Sequence, residues 1–113
     1  MERKSVAVIL LLAMLLSVLP AEAAVTLKKN VSLSFTDTTA NCSGTVMGSG
    51  SISATLELWQ GSTKLISWPG NGSGYVQINE SYTVVSGVTY TLKLNGTING
   101  VAFTEASVTR TCP

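Results

Sequence analysis

Side chains that commonly perform catalysis are scarce in this sequence. The chain contains no histidine, which excludes Ser-His-Asp and Cys-His catalysis and imidazole metal sites. The carboxylates after residue 23 lie in separate segments, without the paired spacing that glycoside hydrolysis needs: Asp37, Glu57, Glu80 and Glu105. The glycine-rich stretch 70–74 precedes a predicted strand rather than a helix, so it does not resemble a phosphate-binding loop. We therefore expect a protein without catalytic activity, bound metal or cofactor.

Exposed aromatic residues are the better candidates for a site. By alternation with Leu58, Trp59 falls on the outward face of its strand, near Trp68, and Tyr75 begins a later strand. Aromatic side chains beside polar groups stack on sugar rings or anchor protein interfaces. Trp59, Trp68 and Tyr75 are therefore the candidate ligand-binding residues. The alternative is that a bulge turns Trp59 inward, or that Trp68 belongs to the core and Trp59 only covers a sheet edge.

Residues 1–23 have the pattern of a secretory signal peptide. Charged residues at positions 2–4 precede the apolar run 6–19, and Ala21 and Ala23 suit cleavage by a signal peptidase. The run is shorter than the about 20 residues that a membrane-spanning helix needs. We expect cleavage, which leaves 113 − 23 = 90 residues, 24–113, as one small secreted domain that is not held in a membrane.

Cys42 and Cys112, the two cysteines of the chain, both follow the signal peptide. In an oxidising compartment we expect them to form a disulfide. The chain-entropy argument gives such a long loop a stabilisation on the order of 4 kcal/mol. The alternative, free or intermolecular thiols, has neither a metal-like spacing nor a histidine to support it.

The charge balance does not favour a charged partner. After residue 23 the chain carries five basic and four acidic residues, a net charge of 5 − 4 = +1. We therefore expect no binding to nucleic acid or to an anionic membrane. The polar surface comes instead from Ser, Thr, Asn and Gly, which suit strands and turns better than helices.

Alternating apolar and polar residues predict about seven β-strands and no helix. The clearest strand has Val88, Tyr90, Leu92 and Leu94 on one face. The other predicted strands are 25–35, 40–46, 52–58, 64–68, 75–85 and one that ends near residue 111. Residues 47–51 and 70–74 are predicted loops, the second being the most flexible. This order predicts an antiparallel all-β sandwich.

The last two strands are predicted to form a hairpin whose turn contains Asn99-Gly100. A two-residue loop there would set Leu92 opposite Ser107 and spoil the apolar face. We therefore favour a three-residue loop over 98–100, which pairs Leu92 with Ala106 and places Gly100 in the left-handed region.

The segment Ser86-Gly87-Val88-Thr89-Tyr90-Thr91-Leu92 resembles the entry to the penultimate strand of immunoglobulin-like domains. The signal peptide followed by one such domain is also similar to small secreted bacterial proteins of unknown function. The resemblance implies an immunoglobulin-like β-sandwich, in which Tyr90 has a structural role and its hydroxyl bonds a nearby backbone group. No cysteine stands two residues after Tyr90, so the function of antibody-type domains does not transfer.

Five asparagines occupy formal N-glycosylation triplets: Asn30, Asn41, Asn71, Asn79 and Asn95. Such triplets also arise by chance in a Ser/Thr-rich chain, so the sequence leaves their modification open.

The sequence patterns together indicate a secreted, non-catalytic module that binds an extracellular protein or polysaccharide as a monomer or with weak self-association. The alternatives are a self-assembling structural subunit and, more weakly, a protease inhibitor that uses loop 70–74 as bait.

Overall fold

A computed structural model describes residues 27–113, which form six antiparallel β-strands. The strands are β1 (Leu27–Thr36), β2 (Thr39–Gln60), β3 (Thr63–Thr83), β4 (Thr89–Ile98), β5 (Val101–Ala102) and β6 (Ala106–Thr111). Within this range there is no helix, and hence none that could cross a membrane. The prediction of an all-β antiparallel fold is confirmed, whereas the predicted signal peptide, 1–23, lies outside the described residues.

Strand β2 is the centre of the sheet. Strand β3 follows one side of it along almost its whole length. On the other side, β1 pairs with residues 39–48 of β2, and β4 pairs with residues 52–59. Strands β5 and β6 extend the sheet beyond β4. Strand β2 therefore belongs to two regions, one at each end: the first contains β1, β2 and β3, and the second contains β3, β2 and β4 with β5 and β6.

These two regions face each other because β2 bends sharply. A Cβ atom added to Gly44 would lie 2.9 Å from Cδ1 of Leu56 and 3.2 Å from Cδ1 of Leu94. A straight strand would separate residues 44 and 56 by about 40 Å, at about 3.3 Å per residue. The bend coincides with a register shift, where residues 48–50 of β2 stand opposite the single residue Gly74 of β3.

The core lies between the two facing regions. Its buried side chains come from alternate positions of the strands: Leu33, Ala40, Cys42, Val46, Ile52, Ala54, Leu56, Leu58, Val76, Ile78, Tyr90, Leu92, Leu94 and Ile98. Contacts such as that between the rings of Phe35 and Tyr90, 6.2 Å apart, join the two regions. Lys29 breaks the apolar alternation of β1 without a register shift, because its long side chain reaches past the core and donates to the carbonyl oxygen of Thr104.

The number of strands differs from the prediction because two predicted loops are strand. Residues 47–51 lie within β2 and residues 70–74 within β3, so four predicted strands merge into two long ones. The glycines suggested loops, but in the structure they allow close packing at the bend. A Cβ at Gly70, for example, would lie 2.8 Å from Cγ1 of Ile78 in the facing region. Short turns at residues 37–38 and 61–62 separate β1 from β2 and β2 from β3.

The predicted register of the last hairpin is wrong. Ile98 pairs with Val101, so Asn99 and Gly100 form a two-residue loop in which both have positive φ, 53° and 82°. Leu92 nevertheless pairs with Val108 rather than Ala106. Residues 103–105 lie outside the strands, between β5 and β6, with the Phe103 N–H donating to the carbonyl oxygen of Gly96. They shift the register, which keeps the apolar side chains on the inner face.

Gly96 is the position of β4 where a side chain is least tolerated. It has a φ of 152°, and an added Cβ would lie 2.1 Å from the carbonyl oxygen of Ser53 and 2.8 Å from Cα of Ala54. Because both obstacles are backbone atoms of β2, we expect Gly96→Ala to lower the free energy of unfolding by about 2–4 kcal/mol. Urea unfolding monitored by circular dichroism measures the change.

Gly87→Ala is the matched control. Gly87 also has a positive φ, 84°, but an added Cβ would meet no atom within 4 Å. Only the conformational strain remains, so we expect a loss of about 1 kcal/mol. Equal losses in the two variants would contradict the close approach of β4 to β2.

Candidate functional site

The three aromatic residues predicted to bind a ligand lie on different surfaces. Trp59 is half-buried on the outer face of the β2–β4 region. Trp68 pairs with the buried Leu56 and packs against the core from the inner face. Tyr75 is 48% exposed on the outer face of the opposite region. The structure therefore does not bring them together into one aromatic platform.

Polar contacts hold the Trp59 ring in place. Its Nε1–H donates a hydrogen bond of 2.9 Å to Oε1 of Glu57, and the ammonium group of Lys93 lies 4.2 Å from the ring centroid. Lys64 Nζ lies 3.8 Å from the other carboxylate oxygen of Glu57. A cation over the ring occupies one of the two surfaces on which a ligand could stack. Trp59 is thus part of an intramolecular cluster that fastens β2 to β4.

The opposite outer face is a regular array of uncharged polar side chains. It is formed by β1, residues 39–47 of β2 and residues 75–83 of β3, and we call it the neutral face. Four cross-strand rows contain only hydroxyl and amide side chains: Thr36–Thr39–Thr83, Ser34–Asn41–Ser81, Ser32–Ser43–Asn79 and Asn30–Thr45–Gln77. All are exposed except Ser43 and Thr45, which are half-buried in the central strand.

The fifth row of the neutral face, at the bend, is different: it consists of Lys28, Met47 and Tyr75. Met47 and Tyr75 are among the few large apolar side chains that are exposed in residues 27–113. The Tyr75 hydroxyl donates to Oε1 of Gln77 at 3.0 Å, which orients both side chains. An aromatic ring therefore stands at one end of the polar array.

A shallow depression of about 400 Å³ lies toward the other end of the neutral face. Its lining comes from all three strands: Ser32, Ser34, Asn41, Cys42, Ser43, Asn79, Glu80 and Ser81. The amide of Asn41 donates to the hydroxyl oxygen of Thr36 at 3.0 Å beside it. Three formal glycosylation acceptors, Asn30, Asn41 and Asn79, are exposed on this face, whereas Asn71 and Asn95 lie in the other region.

Sequence reasoning identified the outward positions of each strand but not the neutral face. The even-numbered polar residues of 28–36 could not be aligned with those of β3 until the pairing of both strands with β2 was known. The signal that could have found the face is compositional. The outward positions of the predicted strands around 40–46 and 75–85 lack Lys, Arg, Asp and Glu, unlike those of 52–58, which include Glu57.

The predicted disulfide is absent, and both cysteines are buried free thiols. Cys42 is on the inner face of β2, where it pairs with Leu33 and Glu80. The sulfur of Cys112 lies 3.5 Å from the carbonyl oxygen of Asp37, at the turn between β1 and β2. The backbone of Cys112 is also fixed, since its N–H donates to Val88 and its carbonyl accepts from Gly87. Packing and backbone pairing thus hold the C-terminal end in this structure without a covalent bond.

Tyr90 is buried near the start of β4, and its hydroxyl has a backbone partner. The N–H of Val85 donates to the Tyr90 oxygen at 2.9 Å. The bond spans the turn that leads from β3 into β4 and ties this turn to the end of the core. The position therefore serves the architecture and not a surface site.

Within residues 27–113, no three His, Cys, Asp or Glu side chains come close enough together to hold a metal ion. Comparison with known proteins adds no family: no protein-family model matches the chain, and no curated protein matches it. The functional argument therefore depends on the two outer faces and their chemistry.

Burial of Cys42 predicts a pH effect on stability. Loss of hydration raises the pKa of its thiol from 9.0 to about 11. Between these values the thiol ionises in the unfolded chain but not in the folded one, so the free energy of unfolding falls as the pH rises. The decrease is at most about 3 kcal/mol, since a change of one in pKa corresponds to about 1.4 kcal/mol. Urea unfolding at pH 8.5 and at higher pH measures the decrease.

Cys42→Ala is the control, because it removes this thiol and leaves every other ionisable side chain in place. The variant should lose less stability than the parent protein over this interval. Identical pH dependence in both proteins would contradict the burial of a neutral thiol. A thiol count in urea without reductant tests the pairing itself: two thiols per chain agree with the structure, and none would mean a disulfide.

Removal of the Tyr90 hydroxyl should destabilise the fold. Tyr90→Phe leaves the Val85 N–H without this acceptor, which we expect to lower the free energy of unfolding by about 1–2 kcal/mol. Tyr75→Phe, which removes an exposed hydroxyl, should change it by less than about 0.5 kcal/mol. Chemical denaturation of both variants checks the difference, and an unchanged Tyr90→Phe would refute the structural role.

Proposed function

We propose that this protein is a small, secreted, non-catalytic binding module that recognises an extracellular component, a glycan or a protein, through an outer face of its sheet. The observation that carries the proposal is the neutral face, where four rows of mostly exposed hydroxyl and amide groups adjoin Tyr75. These groups are held by three paired strands, so a ligand does not have to order them. Preorganised contacts of this kind lower the entropic cost of binding.

Of the three aromatic candidates, Tyr75 has the position best suited to a ligand. It is exposed and stands at the edge of the polar array, whereas Trp68 contacts the core and Trp59 is held by Lys93 and Glu57. An aromatic side chain with a polar tip contributes contact area and a hydrogen bond at a small cost in side-chain entropy. We therefore assign the main ligand contact to the neutral face and not to the Trp59 cluster.

The proposal includes an immunoglobulin-like sandwich as the finer description of the fold. Two observations support it. The two regions of the bent sheet pack their inner faces together, with Gly44 against Leu56, and the Tyr90 hydroxyl accepts a backbone hydrogen bond a few residues upstream, as a tyrosine corner does. Binding through a sheet face or at one end is compatible with this architecture.

A structural, self-assembling role is the second candidate, and the long edge of β3 favours it. Strand β3 pairs only with β2 in the described part of the chain, so its other edge offers backbone groups to another strand. Pro69 lacks an N–H, and the register shift at Leu65 interrupts the regular edge. These features limit pairing in the first half of β3, while the half 70–83 has no such interruption other than the bend.

Protease inhibition has less support, because the predicted bait loop 70–74 lies within β3.

Binding of the mature domain to a panel of polysaccharides, matrix proteins and cell surfaces tests the leading proposal. We expect specific binding that Tyr75→Ala weakens by about fivefold and that Trp59→Ala leaves within about twofold, since one exposed aromatic contact contributes about 1 kcal/mol. Circular dichroism confirms that both variants fold. Equal losses in the two variants would refute the neutral face as the contact surface.

Sedimentation velocity over about a hundredfold range of concentration separates binding from assembly. A binding module should stay monomeric or associate only weakly. Concentration-dependent growth that a lysine on the β3 edge abolishes would favour the structural role instead. Gln77→Lys is suitable for this purpose because Gln77 is exposed in the uninterrupted half of β3.

A further inference from the structure

We infer that the ligand of the neutral face is an uncharged polysaccharide, held along the strands by hydroxyl and amide side chains and at the bend by Tyr75. This inference rests on the proposed function and names the ligand class of the same site. It depends on three properties of the face: its charge, the chemistry of its groups and their regular spacing.

The charges argue against a polyanion or a polycation. Lys28 is the only charged residue in the five rows, and Glu80 borders the depression at the other end. Binding of an anionic polymer or a nucleic acid depends on several cations that neutralise its charges together. Two isolated charges of opposite sign cannot do this, so a ligand without net charge fits best.

The distribution of apolar groups argues against a protein partner. Protein interfaces have a buried centre of aromatic, methionine or arginine side chains with a polar rim around it. The neutral face has the reverse arrangement, because its centre consists of Ser32, Ser43 and Asn79 while Met47 and Tyr75 stand at one end. A protein docked there would bury mainly polar groups, each of which would need a partner.

Sugar hydroxyls can supply those partners. A sugar hydroxyl both donates and accepts, and so do the Ser and Thr hydroxyls, whereas the amides of Asn and Gln provide donors and acceptors at separate atoms. Adjacent strands place these groups about 4.8 Å apart, and successive rows repeat at about 6.6 Å. A repeating ligand can therefore form similar contacts in every row, which a single small molecule cannot.

Repetition also sets the expected affinity. One hydrogen bond exchanged with water contributes little, so a short oligosaccharide should bind weakly. A polymer occupies several rows at once, and each further contact forms at a high effective concentration. The polymer should therefore bind more tightly than its di- or trisaccharide, and added salt should have little effect.

Depletion of the unmodified domain from solution by insoluble polysaccharides tests the inference. The probes are neutral polymers (cellulose, chitin, β-1,3-glucan, mannan and starch), anionic polymers (alginate, pectin and immobilised heparin) and matrix-protein beads.

Ser81→Lys places a charge on the neutral face, and Ser67→Lys places the same charge on the other outer face, at an exposed serine of the same strand beside Glu57. Asn79→Asp provides a second charged variant of the neutral face, with almost no change in side-chain size. Mass spectrometry confirms that the asparagines carry no glycan, and urea unfolding confirms that each variant folds.

We expect depletion by at least one neutral polymer that changes by less than about twofold between low and high salt. Ser81→Lys and Asn79→Asp should weaken it by about tenfold, while Ser67→Lys should leave it unchanged. Binding only to anionic polymers or protein beads would overturn the ligand class and leave the proposed binding function standing. Binding to neutral polymers that Ser67→Lys weakens as much as Ser81→Lys would overturn the assignment to this face. Absence of binding to every probe and cell surface would overturn both proposals.

Discussion

The two halves of β2 bury each other's inner face, and the rest of the structure depends on this contact. Gly44 in the first half packs toward Leu56 in the second, so one strand supplies both sides of its own core. Strand β3 pairs with both halves of β2, β1 pairs with the first half and β4 with the second, and β6 joins through β4. All four strands add apolar side chains to the same interior. A domain of this size has little apolar surface to bury. Because of the bend, both halves of β2 contribute apolar side chains to the same core.

The same bend gives the protein two outer faces with different chemistry. One face carries Glu57, Trp59 and Lys93 in contact with each other, and these contacts satisfy much of the binding capacity of the side chains internally. The neutral face carries short hydroxyl and amide side chains, most of which extend into solvent. Charged side chains that are paired within the protein would have to give up those partners to bind a ligand. The two faces therefore differ in how readily they can take part in recognition.

The sequence predicted the strand type and the inward positions well, because period-two alternation reports which side of a strand is buried. The prediction of strands failed at glycines, because glycine is common in loops and also occurs in strands that pack closely against a neighbour. Residues 70–74 have the composition of a loop, and only the proximity of Ile78 to Gly70 explains why small residues occur within a strand. The prediction of the hairpin register failed for a related reason, since the alternation of apolar and polar residues does not reveal that residues 103–105 lie outside the strands. The candidate site was hardest to predict, because its rows join residues such as Asn30 and Gln77 that only the pairing with Thr45 brings together.

The long hairpin of β2 and β3 also bears on how the chain can assemble. Its turn, at Gly61 and Ser62, joins Gln60 to Thr63, which are only three residues apart and form the most local pair of this hairpin. Each further pair, moving away from the turn, forms next to a pair that already exists. The chain therefore loses its conformational entropy in small steps and not in one large loop closure. The most distant pair of this hairpin, Thr39 with Thr83, can form by the same progression once the pairing has passed the bend. A topology dominated by non-local pairing thus contains a local route to its own formation.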